Sequence, residues 1–565
     1  MIRKVCVPFF ASARVKTEET LHDTEINQRP TELVFHSSLR TMATPCKRGR
    51  GAVRFRSSSR SRKLHMTHLQ ANVPQPAPQG DNEALKHHLL KMLVTDLMPL
   101  STVKDAGFRA FTRALNPTVD LPSSVAWVRA ELLSVHEGIK SEVKEMLQSV
   151  PEVALTAEMW THPSEGAYLT ASCHFIDKYW KRRSLVLETA HLGAQRDAAK
   201  VVDLLLKLSS RWGIAEKVKV VVSNMMGKGS MTESCEAKGW AHVRCFVCTL
   251  DVAFCEALAL LDAWACRARQ LLKKCRSVVR FFQHDRDAQR QLRANQETLQ
   301  LSPLRLVQAS EDTWLDVCTM LQRLSEQRNA INMVLIQRVR ADLWLNDEDA
   351  AKIDAIVAAF QPLKDAVKEM DSDGYECISN IIPLVTKMQK SMARLAEEGN
   401  EVARAMAEVF TRHLGHAGDN RWMTLSTALD PRFKNILWFD SRAQTIEHKL
   451  QTELKAVSPS RGSEHSGAQS PEITEILNEY KSTSTMLPNQ NPLDFWRLPR
   501  RLKKLSFVAL KYLTVVSTVV PLRRAFNQEV SRRLHYNRCH LEPENVNLML
   551  FLNGHWSIES SDSSD

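Results

Sequence analysis

Apolar positions fall into a helical repeat soon after residue 80. "NEALKHHLLKMLVTDLMPL" (82–100) sets Leu85, Leu89, Met92, Leu93 and Leu97 on one face, and "AWVRAELLSVHEGIKSEVKEMLQSV" (126–150) does the same with Leu132, Leu133, Ile139, Val143 and Leu147. The pattern then changes. "VALTAEMW", "AYLTASCHFI" and "RSLVLETAHL" are rich in β-branched and aromatic residues, alternate in part, and are joined by short turns such as "HPSEG". They predict an antiparallel three-stranded meander from Val153. "QRDAAKVVDLLLKLSSRWGI" returns to helical spacing through Val201, Leu204, Leu205 and Leu208, and the nearly all-apolar "EKVKVVVS" reads as a buried parallel strand. From about Val247 the chain is helical for a long stretch, with amphipathic segments such as "TWLDVCTMLQRLSEQRNAINMVL" and "KIDAIVAAFQPLKDAVKEM".

Three antiparallel strands, a crossover helix and a parallel strand form the opening order of a ribonuclease-H-like domain. The predicted fold class is therefore α/β plus all-α, with such a core interrupted by a large helical insertion. The expected segments are a basic, Ser-rich tail (1–80), a helical N-terminal domain (81–150), the first part of the core (151–255), the helical insertion (256–490) with a flexible loop at 456–472, a C-terminal region that completes the core (491–553), and an acidic tail (554–565). A chain of 565 residues with 44% hydrophobic content can build several cores. It has no apolar run of 18 residues, so no membrane span is expected. Its twelve cysteines lack a dense, regular spacing and fit a reducing compartment.

The net charge of +12 is uneven. Ser37–Lys63 holds nine Lys or Arg and no acid, and Asn491–His540 holds eleven against Asp494 and Glu529, which leaves the remainder mildly acidic. Two basic blocks on such a body point to local contact with polyanions. In the first block Lys47, Arg48, Arg50, Arg60, Arg62 and Lys63 make a candidate nuclear import signal; a solvated tail is the plain alternative.

Several blocks in order carry a family resemblance. "DLMPLSTVKDAGFRAFTRALNP" (96–117), "LTAEMWTHPSEGAYLTASCHFI", "GWAHVRCFVCTLDVAFCEAL", "LDPRFK" (429–434) and "NPLDFWRLPRRLKKLSFVALKYLTVVSTVVPLRRAF…LEPENVNLMLFLN" (491–553) resemble hAT-superfamily transposases, and more closely the host proteins derived from them that usually carry a BED zinc finger. The resemblance covers roughly 85–553. It implies a ribonuclease-H-like core split by a helical insertion, with a C-terminal dimerisation region.

Strand transfer in that family needs two divalent cations held by two Asp and one Glu. By resemblance the first acid falls at Glu158, the second at Ser223 or Asn224, and the third at Arg523. One carboxylate of three remains, and a guanidinium, which offers no lone pair, takes another position. The expectation is a degenerate site with no catalytic metal pair and no cofactor; Asp251 is the nearest candidate in sequence for a substitute acid. The family's Cys-x-x-His reads Cys245-x-x-Cys248, which is either half a zinc site, completed by Cys235, His242 or Cys255, or a buried pair at a strand-to-helix junction. Before residue 85, Cys6, Cys46, His22, His36, His65 and His68 do not have the spacing of a BED finger.

In the C-terminal region Phe495, Trp496, Leu502, Leu505, Val508, Ala509 and Leu513, with Val546, Leu550 and Phe551, form apolar faces that the resemblance assigns to a homodimer interface; ordinary core packing is the alternative. Arg500, Arg501, Lys503, Lys504, Arg523, Arg524, Arg532 and Arg533 form a basic face able to meet phosphate. The sequence thus predicts a domesticated, catalytically inactive, nuclear, dimeric regulator or scaffold with DNA as a possible partner, no small-molecule substrate and no membrane role. The alternative is an active metal-dependent transposase or nuclease.

Overall fold

Local chemistry fixes where the elements begin. Ser124, Asp197, Asp285, Asn400 and Asn420 each precede a helix, and each side chain accepts from a backbone N–H of the first turn. The computed structural model describes residues 79–117, 120–162, 164–193, 197–225, 229–265, 268–309, 314–372, 376–438, 441–457, 471–497, 501–519 and 528–556. Both tails and the 458–470 segment lie outside the described residues.

Three helices come first: α1 (Gln79–Thr95), α2 (Ala106–Leu115) and α3 (Val125–Gln148). The strands β1 (Val153–His162), β2 (Gly166–Ile176) and β3 (Arg182–Gly193) are the expected meander, followed by α4 (Ala198–Arg211), β4 (Val218–Ser223), α5 (Met231–Glu236) and β5 (Ala241–Arg244). The mixed sheet has the order β3-β2-β1-β4-β5, antiparallel across β1, β2 and β3 and parallel across β1, β4 and β5. At the β1–β2 turn Gly166 has φ +93°, and a Cβ there would come 3.3 Å from the carbonyl oxygen of Gly193.

A helical body follows: α6 (Phe246–Ala265), α7 (Ala268–His284), α8 (Arg286–Thr298), α9 (Trp314–Glu326), α10 (Arg328–Gln337), α11 (Asp347–Ser372), α12 (Ile381–Glu397), α13 (Glu401–Leu414), α14 (Arg421–Leu429), α15 (Lys434–Trp438), α16 (Ala443–Val457), α17 (Pro471–Ser482) and α18 (Pro492–Arg497). The chain returns through α19 (Lys503–Leu513), α20 (Gln528–Arg538) and α21 (Val546–Trp556).

The sheet is apolar on both faces, and each face belongs to a different core. Val153, Leu155 and Ala157 of β1, with Val218 and Val221 of β4, pack with α1, α3, α4 and α21. Ala154, Val220 and Val222 pack with the helical body from α6 onward. From Val220 to Val222 successive residues alternate between the two cores, which explains the apolar run in β4; a register shift beside Val218 puts that residue on the same side as Val221. The N-terminal helices share their core with the sheet and with α21, so 81–150 is one layer of a larger unit. Asn553 Nδ2 donates to the carbonyls of Val94 (2.9 Å) and Thr95 (3.1 Å), and His555 Nε2 meets the Val186 carbonyl at 2.8 Å. Gly554 permits this approach, because a Cβ there would sit 2.6 Å from Val186 Cγ2.

Some expectations are corrected. β5 was not foreseen: at four residues it is too short for alternation to show. Leu97 is buried but lies past the end of α1 with φ +49°, turned out of the helix ahead of Pro99. In α3 Val128 joins the buried stripe while Leu133 stays exposed.

The "LDPRFK" block is a buried polar knot between α14 and α15. Asp430 and Arg432 are paired at 2.8 Å with both side chains fully buried. Asp430 also accepts from Ser379 Oγ (2.7 Å), and Arg432 donates to Asn380 Oδ1 (2.9 Å) and the Pro488 carbonyl (3.3 Å). Lys434 Nζ donates to the carbonyls of Tyr480 (2.8 Å) and Thr483 (2.5 Å) at the end of α17, where a cation also meets the negative end of the helix dipole. Burial pushes its pKa down to about 8. Trp496 Nε1 donates to the Leu429 carbonyl (3.0 Å), which ties α18 to the same place.

Two outcomes are expected. Asp430→Ala strands a buried guanidinium and should cost about 3–5 kcal/mol, read from chemical denaturation of the purified chain. His174, buried between Thr156 Oγ1 (3.0 Å) and Ser184 Oγ (2.8 Å), has its pKa pushed down to about 3, first by burial and then by the Arg182 charge. Its folded pKa lies below the unfolded value, so its contribution is present above about pH 6.5 and is lost as pH falls through that value toward 3. Between pH 7 and 5 the wild type should lose about 2 kcal/mol more stability than His174→Gln.

Candidate functional site

β1 and β4 run side by side with Ala157 opposite Ser223, so the next residues, Glu158 and Asn224, leave the register together. Two of the three positions assigned to metal-binding acids are therefore adjacent. Asn224 is fully occupied by backbone: its Oδ1 accepts from Met159 N (2.8 Å) and its Nδ2 donates to the Met159 carbonyl (3.0 Å). The amide adds a rung to the sheet where the ladder ends, and an aspartate, which has no donor, could not make both bonds. Ser223 Oγ lies 2.9 Å from His242 Nε2, and the other ring nitrogen of His242 is 3.0 Å from Thr232 Oγ1. Burial first, and Arg244 second, push the His242 pKa down to about 4, so the ring is neutral at pH 7.

Glu158 is held by a guanidinium. Arg538, the last residue of α20, places Nη1 2.8 Å from Oε1 and Nη2 3.4 Å from Oε2, with side-chain exposures of 9% for Arg538 and 15% for Glu158. The guanidinium also stands over the Trp160 ring, 5.3 Å from its centroid. The fork uses both carboxylate oxygens, a geometry that gives strong, directional pairing. Hard divalent ions need anionic oxygen. Here the single carboxylate is already neutralised, and its neighbour is an amide committed to backbone.

Beyond this pair lies the start of α6. The Cys245 and Cys248 thiols hydrogen-bond to each other; the bond and nearby backbone N–H groups lower the Cys245 pKa, and the same bond together with burial raises that of Cys248. Asp251 is pushed up to about 8, by burial first and then by Cys245 and Asp316, so its carboxyl is mostly protonated at pH 7. Among the described residues no group of three or more His, Cys, Asp or Glu side chains converges as a metal site. Cys245, buried, and Cys248, half-buried, pair at a strand-to-helix junction, and His242 is turned to Ser223 and Thr232.

The structure separates the other predicted residues. Arg523, Arg524 and Arg500 lie outside the described residues, as do Lys47, Arg48, Arg50, Arg60, Arg62 and Lys63; of Arg532 only the helical backbone is described. Arg501 and Lys503 are exposed, Lys504 is paired with Glu472, and Arg533 lies 3.6 Å from Asp96. Trp496, Leu502, Leu505, Val508, Ala509, Leu513, Val546, Leu550 and Phe551 are buried within the single chain, and Phe495 is half-buried. The apolar stripes read as partner-facing surfaces are core in one protomer, because helices α14, α16 and α1 and strand β3 already cover them. Arg538 was missed. A basic residue at the end of a short helix carries no local mark of a partner 380 positions earlier.

Comparison with known proteins adds to this geometry. Residues 156–237 match the family model described as the ZBED1 RNase-like domain, and residues 476–556 match that of the hAT family C-terminal dimerisation region. The chain is 20% identical over 482 residues to zinc finger BED domain-containing protein 4 of Homo sapiens, which covers 78% of this chain and 41% of that protein. It is 20% identical over 547 residues to zinc finger BED domain-containing protein DAYSLEEPER of Arabidopsis thaliana, covering 87% and 76%. A putative transcriptional regulator, tpeD of Talaromyces stipitatus, is 20% identical over 553 residues, covering 84% and 63%. The chain thus spans well under half the length of the human relative.

Removing either member of the Glu158–Arg538 pair should be costly. Glu158→Ala leaves a largely buried cation and should lose about 2–3 kcal/mol in denaturant unfolding. Combining it with Arg538→Leu should recover part of that loss; strict additivity of the two single changes would mean that the groups do not interact.

Proposed function

We propose that this hAT-derived chain, with its RNase-like segment and its C-terminal dimerisation region, is a nuclear, dimeric, DNA-associated regulator or scaffold in which the ancestral strand-transfer chemistry has been lost. The Glu158–Arg538 ion pair carries this reading. A two-metal mechanism needs several carboxylates free to bridge cations. The one carboxylate at this place is committed to a guanidinium, the adjacent position to a backbone-binding amide, and the third acid reads Arg523 in the sequence. The helical body α6–α18 is read as an insertion in a ribonuclease-H-like core, since α6 leaves directly from β5 and α21 returns to cover β3. The relative named as a transcriptional regulator supports a role in gene control, and the basic Ser37–Lys63 block supports nuclear entry.

The purified full chain should leave supercoiled plasmid intact in millimolar Mn²⁺ and should sediment as a dimer at micromolar concentration. Manganese-dependent nicking that disappears in Glu158→Ala would overturn the loss of chemistry, and a monomer at that concentration would overturn the assembly.

A further inference from the structure

Another basic surface lies on the helical body. Between Ala268 and Ala309 the chain holds nine Lys or Arg against three Asp or Glu. α8 buries Ala288, Leu292 and Gln296, which places Arg286, Arg290 and Arg293 on its open side at i, i+4 and i+7. A fourth guanidinium, Arg305, comes from the extended segment after α8. That segment is pinned: Gln296 Nε2 donates to the Leu304 carbonyl (3.0 Å), Leu301 N donates to the Gln296 carbonyl (2.8 Å), and Arg323 Nη1 donates to the Arg305 carbonyl (3.2 Å). Together Arg286, Gln289, Arg290, Arg293 and Arg305 line a cleft of about 480 Å³. Among the described residues no acidic side chain lines it. Of these arginines Arg290 pairs with Asp287, and all four are exposed.

Four guanidiniums around one cleft repel each other, and a fixed backbone on both sides holds them there. Planar, always-charged forks match phosphate oxygens two at a time. The cleft continues into a second cavity of about 280 Å³ that shares Gln289, Arg293 and Arg305 and adds the apolar surfaces of Phe282 and Leu304. A compact polyphosphate has no use for that apolar extension. A nucleic-acid strand does, because its sugars and bases lie beside its phosphates. We infer that the α8–Arg305 cleft is a nucleic-acid contact site that grips the phosphodiester backbone with Arg286, Arg293 and Arg305. The inference rests on the DNA association proposed above and places that contact on the helical body.

The test uses the full chain and a labelled 30-nucleotide DNA, duplex and single-stranded, in a salt series. The triple variant Arg286→Ala, Arg293→Ala, Arg305→Ala should lower the slope of log affinity against log salt by about 2–3, since each phosphate contact contributes about 0.7–0.9. A control variant, Lys200→Ala with Lys207→Ala on the exposed side of α4, should keep the wild-type slope. Unchanged thermal unfolding shows that the triple variant is folded, and Arg→Lys at the same three positions, which keeps the charge, should restore most of the slope. If the wild type binds and the triple variant keeps its slope, the cleft inference falls and the DNA reading stands. Wild-type chain that retains no DNA at low salt overturns both. Pyrophosphate bound through the three arginines, with strand affinity unchanged in the triple variant, would make the cleft a small-anion site and would also overturn the inference.

Discussion

A carboxylate on the first strand and a guanidinium on a helix near the end of the chain meet where the sheet, the helical body and the C-terminal helices come together. Electrostatics makes this contact exclusive: Glu158 can satisfy Arg538 or help hold a divalent ion, and in a site with 9% and 15% exposure the cation left over has little water to return to. The pair therefore couples two properties. It fastens α20 against β1, and it commits the carboxylate that the family resemblance assigns to metal binding. Asn224 extends the same trade, since the amide that completes the β1–β4 junction is useful as a structural rung because it lacks an aspartate's charge.

A second buried pair organises the helical body. Asp430 and Arg432 are two residues apart, so their attraction needs no long-range folding to find its partner, yet the groups they recruit come from positions 379, 380 and 488. Lys434 then closes the end of α17, and Trp496 docks α18 on the carbonyl of Leu429. A short charged sequence inside an otherwise apolar interior thus fixes which helices lie beside one another, a selectivity that apolar packing alone supplies poorly.

Much of the sheet was legible because its signals are local. The meander, the crossover helix and the all-apolar β4 follow from period-2 and period-3.6 patterns that bury whole faces. Neutral side chains at the second acidic position were also readable directly. What the sequence hid was partnership over distance. Nothing near Arg538 points to Glu158, and nothing in the stripes of α19 and α21 says whether they meet another helix of the same chain or a second protomer; apolar periodicity marks burial without naming what does the burying. The α8 arginines were hidden for a different reason: averaging charge over the long middle of the chain cancelled a compact basic cluster against acids elsewhere.

The last helix has a consequence for how the molecule is made. α21 lies between α1 and β3, with Asn553 on the end of α1 and Gly554 pressed against Val186. Trp212, Leu187 and the inner side of α1 thus stay uncovered until residues 546–556, far later in the chain, are in place. Translation must pass residue 556 before this layer can close, and a nascent chain that stops short of it carries an open apolar seam. Such a chain is a natural client for chaperones and for degradation.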